Sequence, residues 1–317
     1  MKILVYGAGV IGTLYASRLQ DRGHQVTILA RDSRLADIQR HGLVLEDVMS
    51  GDRSTTEVNV AERLSPEDRY DMALIAVRWD QLSGILPELA ANRTMPTVLF
   101  MLNNPGGSTR LTDALGDRVL LGFPGAGGTL QDHVVHYIMI PQQPTTLGEP
   151  NGSRSSRVQA VVETLRASGF QTQIDSDMNA WLVSHAFFVT AVSGAIYLAG
   201  GDCERLSRSR APLNLMVSGV REGFDAVRAL GRPVHPFALR VLFSWLPRWY
   251  AASYWRRFFS KREAEYIFAG HVRHASGEMQ SLAAECRILL GSAGVLAPAL
   301  TELYRAIDEY AATRVQR

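Results

Sequence analysis

Lysine is almost missing from this chain: of 33 basic residues only Lys2 and Lys261 are lysines, and the rest are arginines. Chemistry that needs an amine therefore has two places to occur. Cysteine is scarce too, with Cys203 and Cys286 alone and no C-x-x-C or zinc-like spacing. That excludes a disulfide framework and points to free thiols in a reducing, cytoplasmic compartment. A charge excess is also lacking, since 33 basic and 31 acidic side chains leave +2 over 317 residues. No general drive toward nucleic acid or an acidic membrane is expected, although a local basic patch has room to exist. The expected partner is a small-molecule substrate, with no nucleic acid, no membrane and no metal. No secretory segment is read at the N-terminus, where Ile3–Tyr6 begins a strand at once.

What is present is alternation. In the first half, short apolar runs at Lys2–Tyr6, Gln25–Ala30, Met72–Val77, Thr97–Leu102 and Val119–Gly122 are separated by helix-like segments. The runs are nearly continuous rather than alternating, which predicts strands buried on both faces of a parallel, doubly wound sheet. Val134–Ile140 and Thr145–Gly148 read as a hairpin closing that sheet. From Ser155 the period becomes helical, with Val158, Val161, Val162 and Leu165 on one face, and no convincing strand follows Asp175. The expected division is residues 1–173 for the sheet domain and 174–317 for an all-helical substrate and dimerisation domain. Trp181–Leu198 is strongly apolar but interrupted by Ser184, His185, Thr190, Ser193 and Gly194, so it is expected as a buried helix rather than a membrane span.

Gly7-Ala8-Gly9-Val10-Ile11-Gly12 follows the first strand directly and opens a helix. In that setting the glycines permit a tight turn, let backbone approach a pyrophosphate, and allow the helix to pack closely on the strand. The second strand ends Leu29-Ala30-Arg31. An arginine there suits the 2′-phosphate of NADP, whereas a carboxylate would suit the 2′-hydroxyl of NAD. Asp32 lies one residue beyond that place, so NADP is the expected cofactor, bound at a Rossmann-type domain.

These residues resemble the ketopantoate reductase (2-dehydropantoate 2-reductase) family, which reduces a 2-keto acid with NADPH in pantothenate synthesis. The likeness lies in the turn at 7–12, in Leu29-Ala30-Arg31, in Val77-Arg78, where Arg78 replaces the family's usual lysine, and in Phe100–Gly106. It implies cofactor contacts for Gly7, Ala8, Gly9, Val10, Ile11, Gly12, Arg31, Arg78 and Asn103. It also implies that Asn103 sits beside the nicotinamide and substrate. A weaker likeness in the second half rests on Trp181 and on Glu278 with Pro298 twenty residues later, and makes Glu278 a candidate catalytic residue.

The second half also departs from the family. Where the resemblance implies a proton-donating lysine and two substrate-holding asparagines, this chain has Val183, Phe187 and Ala191. Hydride transfer to a carbonyl leaves an oxyanion that needs a proton or fixed donors, and these side chains supply neither. Lys2 belongs to the first strand and Lys261 precedes Glu278 by 17 residues, so the lysine is absent rather than moved. His271, His274 and Glu278 fall at i, i+3, i+7 on a predicted helix, which makes His274 a candidate general acid beside a carboxylate. A solvated polar face is the plainer reading of the same spacing. His185 points away from position 183 and reads as a core histidine.

The expected activity is NADP-dependent reduction of a small keto or imine substrate in an interdomain cleft, with altered specificity. Genuine ketopantoate reduction with substituted groups and a non-catalytic NADP-binding protein are the alternatives. Phe237–Phe259 interleaves Trp245, Trp249 and Trp255 with Arg240, Arg248, Arg256 and Arg257. Such mixtures can bind membranes, single strands or acidic partners, pack as core or interface, or close as a lid. With the long apolar helix, this segment offers surface for a homodimer.

Overall fold

In the computed structural model, which describes residues 1–315 apart from the side chains of His271, Arg314 and Val315, the apolar runs become strands. In chain order the strands are β1 Lys2–Tyr6, β2 Gln25–Leu29, β3 Leu43–Asp47, β4 Arg53–Thr56, β5 Asn59–Ala61 and β6 Met72–Ile75. They continue as β7 Val98–Met101, β8 Val119–Phe123, β9 Ala126–Gln131, β10 Val134–Met139, β11 Thr145–Gly148 and β12 Thr172–Ile174. The main sheet runs β12-β11-β8-β7-β6-β1-β2-β5. Every neighbouring pair in it is parallel except β8 with β11. Helices α1 Val10–Asp21, α2 Asp32–His41, α3 Leu82–Ala91, α4 Thr109–Leu115 and α5 Ser156–Ala167 lie between strands.

Burial follows from the composition of these strands. Ile3 and Val5 of β1, Val26 and Ile28 of β2, and Met72 and Leu74 of β6 join Leu14, Tyr15 and Leu19 of α1 in one core. The four valine and leucine positions of α5 enter the same core, and Ser155 caps the helix by accepting from the Val158 N–H.

The expected hairpin is not formed. β10 pairs antiparallel with β9 and parallel with β3 in a separate sheet ordered β4-β3-β10-β9, while β11 joins the main sheet against β8. The partner of β10 is Ala126–Gln131, whose two glycines and few β-branched residues hide a strand from periodicity.

The chain divides into two compact units, Met1–Leu102 with Ser108–Met178, and residues 103–107 with residues from Asn179 onward. The position expected for the boundary, 173/174, falls inside β12. The second unit is helical: α6 Met178–Leu198, α7 Cys203–Arg208, α8 Arg210–Ala229, α9 Phe237–Arg240 and α10 Arg248–Phe259. They are followed by α11 Arg262–Ala264, α12 Gly270–His274, α13 Ser276–Ala293 and α14 Pro298–Val315. Single π-helical turns occupy Val241–Trp245 and Glu265–Ala269.

Helix α6 is the one described helix long and apolar enough to cross a membrane, and 94% of its 18-residue apolar stretch is buried within the protein. Glycines let its neighbours approach: a Cβ on Gly223 of α8 would sit 2.6 Å from Cβ of Phe187, and one on Gly194 would sit 2.6 Å from the Leu303 carbonyl oxygen of α14. Most of the apolar surface of α6 is thereby covered within the protein.

Candidate active site

The glycine turn is built by close approach on one side and openness on the other. Gly7 has φ +106°, and a Cβ there would lie 2.5 Å from the Ala76 carbonyl oxygen. A Cβ on Gly12 would meet the Gly7 carbonyl oxygen at 1.8 Å, whereas one on Gly9 would meet nothing within 4 Å. Gly7 and Gly12 thus let α1 seat on the sheet, and Gly9 leaves a cradle in which a ligand can reach the backbone. α1 starts at Val10 with no side-chain cap and no acid in its first turn. Its leading N–H groups and positive dipole end are available to an anion.

Behind the turn stands Arg34, which sequence reasoning missed. Its Nε donates to the Ala8 carbonyl at 3.0 Å, Nη2 to Thr13 Oγ1 at 3.1 Å and Nη1 to the His133 carbonyl at 3.3 Å. Burial draws its pKa below the ordinary arginine value, with Asp37 opposing. The signal that could have found it is a second arginine one helical turn after Arg31.

Arg31 leaves β2 at the expected place and is about half exposed. Its Nη2 donates to the Tyr6 hydroxyl at 2.9 Å and lies 3.4 Å from Glu88 Oε2. Tyr6 in turn donates to that carboxylate at 2.6 Å, and the Leu64 N–H donates to Glu88 Oε1 at 2.7 Å. Burial and the neighbouring carboxylate push the Tyr6 phenol above its usual range. Glu88 lies on α3, with no local cue that ties it to Arg31. Arg78 follows β6 and pairs with Asp80 at 3.2 Å, while Asp32 opens α2 at φ 50°.

In the second unit, Asn103 Nδ2 donates to Glu278 Oε1 at 3.3 Å. Glu278 is 3% exposed in the first turn of α13, where the helix dipole favours its charge. Asn103 Oδ1 is buried with no hydrogen-bond partner among the described residues, an acceptor left for a ligand N–H or O–H. Neighbouring Asn104 donates to the Gly107 carbonyl at 2.7 Å and so shapes the loop.

His274 does not join this pair. Helix α12 ends at His274 and Ala275 leaves helical geometry at φ −118°, ψ 36°, before α13 begins. The i, i+3, i+7 face assumed one unbroken helix, and the break resets its phase. His274 is exposed, and its Nδ1 meets the Gly270 carbonyl at 2.7 Å. His274 is therefore not placed as the expected general acid on one helix face with Glu278. The His271 side chain lies outside the described residues.

Val183, Phe187 and Ala191 are fully buried in the second unit. His185 stacks on Trp181 at 5.1 Å between ring centroids, and burial draws its pKa down to about 3, so the ring is neutral. His136 pairs with Glu46 at 3.2 Å and His133 stacks on His41, both within the first unit. Among the described residues no cluster of three or more His, Cys, Asp or Glu is placed to hold a metal ion.

Residues 3–152 match the family model described as ketopantoate reductase PanE/ApbA. The chain is 25% identical over 207 residues to a 2-dehydropantoate 2-reductase of Mesorhizobium japonicum, a match covering 57% of this chain and 61% of that protein. It is 25% identical over 231 residues to the enzyme of that name from Pyrococcus horikoshii, covering 70% and 72%. The chain thus spans about three fifths of the length of the first of these relatives. Among solved structures, a putative ketopantoate reductase from Ralstonia solanacearum aligns over 98% of both chains with TM-score 0.75 and 19% identity. D-mandelate dehydrogenase with NADH and anilino(oxo)acetate aligns over 98% of both with TM-score 0.78 and 14% identity. At these identities the structures establish the fold: a mostly parallel sheet unit followed by a helical region.

Proposed function

We propose, from the match of residues 3–152 to the family model of ketopantoate reductase PanE/ApbA, that this chain is an NADP(H)-dependent oxidoreductase that reduces a small keto or imine substrate less polar than ketopantoate. The observation that carries the reading is the Asn103–Glu278 hydrogen bond, since it joins the two polar groups that the family resemblance assigns to the reacting centre.

The cofactor fits the residues present. The open side of Gly9 and the uncapped start of α1 suit a pyrophosphate, and Arg31 suits a 2′-phosphate if it exchanges its Tyr6 and Glu88 contacts for that anion. When bound, a nicotinamide supplies the hydride. The chain's own residues supply orientation: Glu278 fixes the Asn103 amide through Nδ2, which leaves Oδ1 to accept from a ligand. Val183, Phe187 and Ala191 can neither give a proton nor hold a carboxylate, which supports a bulkier or less polar substrate. The buried free thiols of Cys203 and Cys286 support a cytoplasmic setting.

NADPH oxidation by the purified protein, run with ketopantoate, bulkier 2-keto acids and cyclic imines, tests the proposal. Turnover is expected on the bulkier compounds, with little on ketopantoate. Fast turnover of ketopantoate, lost in Asn103→Ala, would instead assign genuine ketopantoate reduction with substituted groups. The apolar burial of positions 183, 187 and 191 favours one further reading, a non-catalytic NADP-binding protein. Tight NADPH binding with no turnover on the whole panel would establish that reading and sink the enzyme.

A further inference from the structure

Every exposed large aromatic among the described residues lies in one segment: Phe237, Trp245, Trp249, Tyr250 and Tyr254, each 45% to 69% exposed. Between Phe237 and Arg262 the chain carries six basic residues and no acid, so with a net charge of +2 the rest of the molecule is net acidic. Arg248, Arg256, Arg257 and Lys261 are exposed and make no ion pair among the described residues.

The local geometry sorts this segment into two sides. Ala251, Trp255 and Phe259 of α10, at i, i+4, i+8, are buried, and Trp255 packs with Phe188 and Phe243. The expected core packing therefore holds for these residues. Trp249, Tyr250, Ser253, Arg256 and Arg257 occupy the opposite side of the same helix. The arrangement is an amphipathic surface whose outward side is aromatic and cationic rather than polar and mixed.

We propose that this segment is a docking surface for an anionic phospholipid bilayer, on which α10 lies in the plane of the headgroups. Trp and Tyr rings favour that depth, and unpaired arginines suit lipid phosphates. The proposal replaces the expectation, drawn from overall charge, that the chain has no membrane partner. Two other occupants fit less well. A second copy docking on the same patch would oppose two acid-free cationic surfaces. Single-stranded nucleic acid needs free ring faces, yet the Arg240 guanidinium covers Phe237 at 4.9 Å and Trp245 at 5.3 Å, and those two rings meet edge to face.

The full-length protein is tested by sedimentation with vesicles of phosphatidylcholine alone or mixed with phosphatidylglycerol. Binding is expected only to the anionic vesicles, with a blue shift of tryptophan emission and release by salt. Arg256→Gln with Arg257→Gln should weaken partitioning about 30-fold, near 1 kcal/mol per charge, while Arg256→Lys with Arg257→Lys retains it. Trp249→Ser should reduce binding and the blue shift together; these side chains are exposed, so thermal melts should match the parent. Equal binding to both vesicle types, no binding, or variants that bind like the parent would overturn the proposal. So would tighter binding to oligo-dT than to vesicles, or light scattering that shows a dimer dissociated by Trp249→Ser.

Discussion

Asn103 and Glu278 stand 175 positions apart in the chain and share a hydrogen bond of 3.3 Å. The asparagine comes from the loop after β7 and the glutamate from the first turn of α13. Under the proposed function, Asn103→Ala should lower kcat by roughly 100-fold, the scale of losing one preorganised donor or acceptor. Glu278→Gln, which keeps an acceptor for the amide, should lose less. Steady-state kinetics on the best substrate of the panel would check the order, and an Asn103→Ala enzyme as fast as the parent would remove the pair from catalysis.

Under the proposed function, cofactor preference would rest on Arg31 and on the acid that holds it. Arg31→Ala should weaken NADPH by about 10- to 100-fold, a charge-assisted contact's worth, and leave NADH almost unchanged. Glu88→Gln removes the competing carboxylate at 3.4 Å and should tighten NADPH. Fluorescence titrations with both nucleotides measure the ratio, and a ratio that neither variant moves would assign the 2′-phosphate elsewhere.

The glycine turn separates folding from binding. Gly12→Ala places a Cβ 1.8 Å from the Gly7 carbonyl oxygen and should cost about 1–3 kcal/mol of stability. Gly9→Ala meets no protein atom within 4 Å, so its melting temperature should match the parent while cofactor binding falls. Calorimetry paired with NADPH titration distinguishes the two effects.

Neutral His185 makes stability pH-dependent. Its folded pKa of about 3 lies below the ordinary 6.5, so between those values the unfolded chain binds the proton that the folded chain refuses. The contribution is full above about pH 6.5 and is lost as pH falls toward 3. Denaturant melts across that window should show a shallower decline for His185→Phe than for the parent. Parallel declines would place the ring's titration outside the folding balance.

Both thiols should be inert in the folded protein. Burial pushes Cys203 and Cys286 up to about 12, and the thiolate is the reactive form. A disulfide reagent should modify neither until denaturant is added. Rapid labelling of the native protein would contradict that burial.

Local chemistry wrote much of the first unit in plain view. Continuous apolar runs predict β1, β2, β6, β7 and β8, since a strand covered on both faces needs no polar alternation. The Gly7–Gly12 spacing predicts the turn because steric tolerance is a property of the residue itself. Less legible were β3, β4, β5, β9 and β12: β4, β5 and β12 are short, β9 carries two glycines, and β3 follows its apolar Leu43–Leu45 with two acids. His274 shows the same limit from the other side: helical spacing carries across positions 271–278, yet the backbone breaks at Ala275.

By itself, then, the sequence determined which segments could be strand, turn or amphipathic helix, and that the chain holds only two lysines, with Val183 where the family resemblance implies a proton donor. Only the tertiary structure decided that Glu278 meets Asn103 rather than His274, that Glu88 and Tyr6 hold Arg31, and that five aromatics remain outside the core. Backbone preference is set by each residue and its near neighbours, whereas a side chain's partner and exposure depend on which distant segments pack beside it.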